Sequence, residues 1–144
     1  MDSIISDLAK TPYKVMKYAI QVNTSPYASN AGLIAYRFIQ AALLQQHQVL
    51  QVFFYQEGIQ HALRYALPPD DEINISRLWS KLAEEHPIDL LVCISAAQRR
   101  GLLCADEARR QGLADDYLAE GFRIGGLGQW LDATLKADRC LVFG

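Results

Sequence analysis

Short apolar runs alternate with longer amphipathic stretches along most of the chain. The apolar runs are four to seven residues long and rich in β-branched and aromatic side chains, which is typical of strands buried on both faces. The stretches between them repeat apolar residues at helical spacing. Predicted strands occupy 18–22, 49–55, 89–94, 121–126 and 140–143, and predicted helices occupy 31–46, 58–66, 76–85, 105–111 and 127–136. We therefore expect an α/β domain of three layers, α/β/α, around a mostly parallel five-stranded sheet.

The first fifteen residues stand apart from this pattern. Residues 3–10 predict a short helix that ends at Thr11 and Pro12, and a second methionine, Met16, stands directly before the first predicted strand. We expect an N-terminal extension over residues 1–15 and a single domain over residues 16–144. That length is enough to bury one hydrophobic core.

Composition and charge narrow the class of protein. The formal net charge of −2 and the pI of about 5.9 indicate no basic surface for nucleic acid, so we expect no direct binding of RNA or DNA. The uncharged stretches contain Asn, Gln, Ser or Pro and do not predict a membrane-spanning helix. The chain begins with an acidic residue, Asp2, after Met1 and has no basic segment ahead of an apolar one, unlike a secretory signal. We expect a cytoplasmic location.

Three cysteines lie far apart in the sequence, at Cys93, Cys104 and Cys140. Their odd number and the lack of a Cys-x-x-Cys pair argue against a disulfide framework and against a zinc site. The glycine-rich segment 125–128 follows the fourth strand, whereas a dinucleotide fingerprint would follow the first, so we expect no bound nucleotide. The chemistry left open is that of a single reactive thiol, and the alternative is that all three are small buried hydrophobic residues.

Cys93 has the most informative position of the three. It stands near the end of the apolar run 88–94 and directly before a small-residue turn with two arginines, 95–100. Open parallel sheets react at the carboxyl ends of their strands, and we expect the loops 23–30, 56–61 and 95–100 at that edge. A thiol there can meet the helix N–H groups and positive charge that a reactive cysteine needs. Cys93 is therefore the candidate nucleophile.

Four sequence blocks, spread over the chain, form a recognisable pattern. They are Phe53-Phe54-Tyr55-Gln56-Glu57-Gly58, Cys93-Ile94-Ser95-Ala96-Ala97-Gln98-Arg99-Arg100-Gly101, Gly112-Leu113-Ala114 and Gly121-Phe122-Arg123-Ile124-Gly125-Gly126-Leu127-Gly128. Over nearly all of residues 16–144 the chain resembles the DsrE/TusD family of sulfur-relay proteins, and within it the TusD branch. The first loop, 23–29, departs from the family's Gly-Pro-x-Tyr-Gly arrangement, and Cys104 stands where relatives often carry an acid.

The resemblance implies a DsrE/F-like fold of flavodoxin-like architecture and a function in sulfur transfer. It places the sulfur-carrying cysteine at Cys93, in a relay toward 2-thiouridine at the tRNA wobble position. The implied partners are TusB-like and TusC-like subunits in a heterohexamer, a TusE-like sulfur acceptor and an upstream sulfur donor protein. The resemblance leaves open a homo-oligomer when the chain is expressed alone. Sulfur passes between thiols in such a relay, so neither a cofactor nor a metal is implied.

Two alternatives stay open beside the tRNA relay. The DsrE branch of the family implies sulfur trafficking in dissimilatory sulfur oxidation, which the sequence alone does not separate from tRNA thiolation. The other alternative is a non-catalytic assembly subunit, in which Cys93 is buried and the chain serves to hold partners together.

Residues next to Cys93 are candidates for stabilising its thiolate. Backbone N–H groups at Ser95 and Ala96, in a helix expected to begin near Ala96, would favour a negative charge on sulfur. The charges of Arg99 and Arg100 would add to this effect if either side chain turned inward. The alternative for both arginines is a solvated turn or a contact with a partner.

Three aromatic side chains are candidate lining residues of the pocket around Cys93. Tyr27, Tyr55 and His61 follow the first two strands and are expected at the same edge of the sheet. The alternative for the two tyrosines is packing, and for His61 a structural role in place of proton transfer. Cys104, if exposed, is a candidate for a resolving thiol, and the alternative for Cys104 and Cys140 is packing.

Overall fold

The computed structural model describes residues 14–144, so the helix predicted over residues 3–10 lies outside the described residues. The strands are β1 (Lys17–Val22), β2 (Gln48–Phe54), β3 (Asp89–Cys93), β4 (Phe122–Gly125) and β5 (Arg139–Phe143). The helices are α1 (Ala31–Leu44), α2 (Ile75–Glu85), α3 (Ile94–Arg99), α4 (Ala105–Arg110) and α5 (Leu127–Lys136), together with a 3-10 helix, Gln56–Ala62.

All five strands lie in one parallel sheet, in the order β4-β3-β2-β1-β5. The chain steps outward from β1 through β2 and β3 to β4, then returns across the sheet and places β5 on the other side of β1. The predicted α/β class with a five-stranded parallel sheet is confirmed. Because every strand runs the same way, all five carboxyl ends lie at one edge, which we call the carboxyl edge.

Helices cover both faces of the sheet. Phe54 packs edge-on against Trp79 of α2, whereas its neighbour Phe53 stacks on Trp130 of α5 with ring centroids 5.2 Å apart. Successive side chains of a strand point to opposite faces, so α2 and α5 lie on opposite sides of the sheet. Tyr36 of α1 contacts Trp79, which places α1 on the same side as α2. The three predicted layers are therefore present.

The two central strands, β2 and β3, form the middle of the core. Four of their apolar residues, Val52, Phe54, Leu91 and Val92, are fully buried. Burial on both faces explains why these strands appear in the sequence as continuous apolar runs. Within residues 14–144, no helix is long and apolar enough to cross a membrane.

Two element boundaries differ from the prediction. The prediction extends the third strand to Ile94, but Ile94 is the first residue of α3. Its apolar side chain continues the run in sequence, and an apolar run does not mark the point where a strand turns into a helix. The helix predicted over 58–66 is instead the 3-10 helix Gln56–Ala62, which begins earlier because a positive φ of 51° at Gln56 redirects the chain directly after β2.

Candidate functional site

β3 passes directly into α3 at Cys93. Cys93 is the last residue of the strand and the N-cap residue of the helix, with extended backbone angles (φ −62°, ψ 121°). The helix begins at Ile94 and not near Ala96, so its first-turn N–H groups are those of Ile94, Ser95 and Ala96. The Cys93 side chain makes no capping hydrogen bond to them. This transition puts a thiol at the carboxyl edge beside N–H groups that lack intrahelical acceptors.

The far end of α3 is fixed by a Schellman motif. Gly101 has a positive φ of 82°, the Leu102 N–H donates to the Ala97 carbonyl at 2.9 Å, and the Gly101 N–H donates to the Gln98 carbonyl at 3.2 Å. Leu102 is fully buried. The six-residue helix is therefore anchored by an apolar residue just beyond its end.

Cys93 is only 5% exposed. It pairs with Gly125 of β4 on one side and borders β2 on the other. Because Phe54 pairs with Val92, the register places Tyr55 beside Cys93, with about 5 Å between neighbouring strands. Tyr55 is partly exposed. The fold therefore places the backbone of Tyr55, one of the three predicted lining residues, beside that of Cys93.

Tyr27 lies at the same edge of the sheet, on a different strand connection. It belongs to the loop after β1 and is exposed. β2 separates β1 from β3, so the loop leaves the sheet two strand spacings, or about 10 Å, from the end of β3.

His61 does not line a pocket, which corrects the prediction. Its side chain is completely buried beneath α1, where a Cβ added to Gly32 would lie 2.2 Å from His61 Cε1. Trp79 Nε1 donates to His61 Nδ1 at 3.2 Å, and His61 Nε2 lies 3.1 Å from the Thr24 carbonyl oxygen. Burial lowers the pKa of His61 to about 4, so the ring is neutral near neutral pH. His61 is a structural residue that ties the loop after β1 to α2.

The two arginines of α3 differ in their surroundings. Arg99 is exposed in the last turn of α3, and Ser95 is exposed in its first. Arg100 instead forms an ion pair with Glu57 of the 3-10 helix, with 2.7 Å between Nη2 and Oε1. The Glu57 carboxylate compensates this guanidinium, and the assistance of either arginine to the Cys93 thiolate stays a prediction.

Glu57 is the neighbour that sequence reasoning missed. The signal was present, because Glu57 and Arg100 carry opposite charges shortly after two strands that pair side by side. The adjacency of β2 and β3 follows from the order of the strands in the sheet, which the sequence pattern alone does not predict. Sequence reasoning also missed Trp79 of α2, which donates a hydrogen bond to His61.

The other two cysteines belong to other elements than β3 and α3. Cys104 is half-buried as the N-cap residue of α4, and Cys140 is exposed on the edge strand β5. Over residues 14–144, no three His, Cys, Asp or Glu side chains are grouped so that they could hold a metal ion.

The fold and the site define a class of protein: a parallel α/β domain with a thiol where a central strand turns into a helix at the carboxyl edge. The chain belongs to the DsrE/DsrF-like family, whose model matches residues 16–143. The resemblance expected from the sequence blocks is thereby confirmed.

Three curated relatives match almost their whole length. The DsrE protein of Allochromatium vinosum is 43% identical over 129 residues, which is 90% of this chain and 99% of that protein. A sulfurtransferase TusD homolog of Vibrio parahaemolyticus is 41% identical, covering 89% and 98%, and one of Aliivibrio fischeri is 42% identical, covering 88% and 97%. These names confirm the predicted sulfurtransferase activity at the level of the enzyme class.

A solved structure supports the fold independently. The ychN protein from E. coli superimposes with a TM-score of 0.72 at 22% sequence identity, covering 90% of this chain and all of that one. At this identity the match bears on the fold alone.

Proposed function

We propose that this chain is a sulfurtransferase subunit that accepts sulfane sulfur as a persulfide on Cys93 and passes it to a cysteine of a partner. The observation that carries the proposal is the position of Cys93, the last residue of β3 and the N-cap residue of α3, in a chain of the DsrE/DsrF-like family. Loops and helix starts meet at this edge of a parallel sheet, where such folds react.

The proposed chemistry balances without an external oxidant or reductant. The Cys93 thiolate attacks the terminal sulfur of a donor persulfide, R–S–SH; a new S–S bond forms, the old one breaks, and the donor leaves as its thiolate. Cys93–S–SH then gives its terminal sulfur to an acceptor thiolate by the same displacement, which returns the Cys93 thiolate. Each step exchanges one S–S bond for another, so the relay needs no redox cofactor.

Burial of Cys93 sets a condition on this chemistry. Because the residue is only 5% exposed, we expect a partner's sulfur to reach the thiol through a local movement. A persulfide extends about 2 Å beyond the cysteine sulfur, so the loaded form projects farther toward the surface than the free thiol. We expect the free thiol to need the larger opening, and the loading step to be more sensitive than the unloading step to anything that holds α3 in place.

We assign the relay to 2-thiolation of the tRNA wobble uridine, in the cytoplasm, where thiols stay reduced. Two relatives that carry the TusD name support this pathway. TusB-like and TusC-like subunits would complete a heterohexamer, a TusE-like protein would accept the sulfur, and an upstream protein would donate it. The net charge of −2 favours contact with proteins over contact with tRNA itself.

An apolar stripe on α5 supports association with other subunits. Leu127, Leu131 and Leu135 repeat every four residues and are 62%, 58% and 77% exposed. Cys140 Sγ lies 4.0 Å from the Thr134 carbonyl oxygen, so the edge strand β5 borders this helix. Val142 of β5 is also exposed. Exposed apolar side chains on a helix beside an edge strand are typical of an interaction surface.

Sulfur trafficking in sulfur oxidation is the second candidate function. It is favoured by the 43% identity to the DsrE protein of Allochromatium vinosum. The chemistry at Cys93 would be the same, and only donor and acceptor would differ. Deleting the chain's gene separates the two: loss of 2-thiouridine from tRNA supports the tRNA relay, and unchanged 2-thiouridine with impaired sulfur oxidation supports the other pathway.

A non-catalytic assembly subunit is the third candidate, and the burial of Cys93 favours it. It predicts that Cys93 in the native protein resists a thiol-alkylating reagent even when all partners are present. A relay cysteine reacts under the same conditions, because the opening that admits a partner's sulfur also admits a small reagent.

Intact-protein mass spectrometry tests the proposal. After incubation with a cysteine desulfurase, cysteine and the relay proteins, we expect the chain to gain the mass of one sulfur atom, located on Cys93 by peptide mapping. Cys93→Ser should fold and gain none, whereas the matched variants Cys104→Ser and Cys140→Ser should load like the unmodified chain. Added sulfur on a partner but none on Cys93 would contradict the proposal.

A further inference from the structure

Two charged side chains tie the helix after β3 to the 3-10 helix after β2. Arg100 Nε and Nη2 both lie 2.7 Å from Glu57 Oε1, and Arg100 Nη1 donates to the Ala96 carbonyl at 3.1 Å. The other oxygen of Glu57 accepts a hydrogen bond from Gln60 at 2.8 Å. One guanidinium therefore binds both a backbone acceptor of α3 and a carboxylate that is held within the neighbouring element.

The two elements joined in this way begin at the two residues that meet at the candidate site. Tyr55 is the N-cap residue of the 3-10 helix, and Cys93 is the N-cap residue of α3. The two helices also pack against each other. A contact that fixes these helices relative to each other also fixes Tyr55 relative to Cys93.

The other contacts that hold α3 in place lie on its buried side, whereas the Glu57–Arg100 pair lies on its outer side. Ala97 and Leu102 are buried and hold the inner side of the helix and its end. The Glu57 side chain is half-exposed, so the pair lies at the surface, where solvent weakens ion pairs. A contact of this kind adds little to global stability but opposes a local opening of α3.

We propose that Glu57 and Arg100 form a positioning pair that fixes α3, and with it the junction of β3 and α3 at Cys93, against the 3-10 helix, so that the thiol opens to a reagent or to a partner's sulfur when the pair separates. The inference rests on the proposed function, because only a reacting thiol needs control of its exposure. Neither side chain takes part in the displacement itself; both act through the position of α3.

Alkylation of Cys93 by iodoacetamide tests the pair without any partner protein. In a Cys104→Ser/Cys140→Ser background, Glu57→Gln and Arg100→Gln each remove the pair from one side. We expect both to speed alkylation by about two- to fivefold, the range that an exposed ion pair supports. The double variant should be no faster than the faster single variant, because both changes remove the same contact.

Through-space electrostatics gives a different pattern and would overturn the inference. Loss of the Glu57 charge would favour the thiolate and speed alkylation, whereas loss of the Arg100 charge would slow it. Opposite effects of the two variants, or no effect of either, contradict a positioning role. Exchanging the charges, Glu57→Arg with Arg100→Glu, should bring the rate back toward that of the unmodified pair.

A matched ion pair elsewhere provides the control. Arg110 and Glu107 on α4 lie 3.0 Å apart and are also near the surface. Arg110→Gln and Glu107→Gln should leave the alkylation rate unchanged. Thermal unfolding of each variant identifies any that fails to fold, and Arg100→Lys, which keeps the charge but loses the planar fork, then replaces Arg100→Gln with a smaller expected increase.

Measuring persulfide loading on the same samples distinguishes a failure of the positioning role from a failure of the proposed function. If the unmodified chain alkylates at Cys93 and the variants follow the expected pattern, but Cys93 takes up no sulfur from the relay proteins, the proposed function fails and the positioning role stands. If Cys93 loads with sulfur and the variants do not change its alkylation, the positioning role fails and the proposed function stands.

Discussion

The indole N–H of Trp79 donates to Nδ1 of His61 at 3.2 Å, in the middle of the core between α2 and the 3-10 helix. This bond fixes the tautomer of His61, because Nδ1 must accept and Nε2–H is then the donor to the Thr24 carbonyl at 3.1 Å. A protonated ring could not accept from Trp79. The loop after β1 is therefore held by a histidine that the folded protein keeps neutral.

A pH dependence of stability follows from this arrangement. Burial lowers the pKa of His61 from 6.5 to about 4, so between these values the unfolded chain binds a proton that the folded chain does not. The free energy of unfolding should fall as the pH falls from about 6.5 to about 4, by roughly 3 kcal/mol in total, and this contribution should then level off.

Urea unfolding at several pH values, compared between the unmodified chain and His61→Gln, measures this contribution. Gln can donate to Thr24 and accept from Trp79 but does not titrate in this range, so the variant should lose the slope between pH 6.5 and 4. Asp138 also has a lowered pKa, from a backbone hydrogen bond, and contributes at lower pH in both proteins. Equal slopes in the two proteins would contradict the account of His61.

The packing of His61 against α1 gives a second prediction. A Cβ at Gly32 would lie 2.2 Å from His61 Cε1, and the ring is held by two hydrogen bonds. Gly32→Ala should therefore lower the free energy of unfolding by about 1–3 kcal/mol. Gly128→Ala is the matched control, since both glycines are the second residue of a helix and nothing lies within 4 Å of a Cβ at Gly128.

The control should raise the free energy of unfolding by about 0.5–1 kcal/mol, because Ala restricts the unfolded chain and suits a helix. Denaturant unfolding of Gly32→Ala and Gly128→Ala measures both effects. Similar effects of the two substitutions would mean that the contact with His61 does not limit the space at Gly32.

The apolar stripe on α5 gives a third prediction. Leu131→Asp should weaken co-purification with TusB-like and TusC-like subunits at least tenfold, because a charge would be buried in the proposed interface. The free energy of unfolding of the isolated chain should change little, since Leu131 is exposed. Leu44→Asp, on the exposed end of α1, is the matched control and should leave co-purification intact.

Most of the fold could be predicted from the sequence because its strands are buried on both faces. Continuous apolar runs such as 90–93 mark strands of a parallel sheet, and the helices between them repeat apolar residues at helical spacing. The boundary at Ile94 could not be predicted, because an apolar residue fits the end of a buried strand as well as the start of a helix. The 3-10 helix was misplaced because its start depends on the positive φ of Gln56, a residue with no special preference for it.

The candidate site was predicted in part. The sequence pattern brings Cys93 to the end of a central strand, and the register adds Tyr55 beside it. The environment of His61 could not be predicted, since it depends on Trp79, a contact 18 residues away in sequence. The pairing of Arg100 with Glu57 spans 43 residues and follows only from the strand order.

The central claim, that Cys93 carries sulfur between donor and acceptor, is tested most directly by a single-turnover experiment with radiolabelled sulfur. The chain is loaded from a labelled donor persulfide, freed of donor and mixed with the TusE-like acceptor. We predict that label on Cys93 disappears at the rate at which it appears on the acceptor cysteine, and that Cys93→Ser passes none. Transfer of label through Cys93→Ser at the unmodified rate would contradict the account.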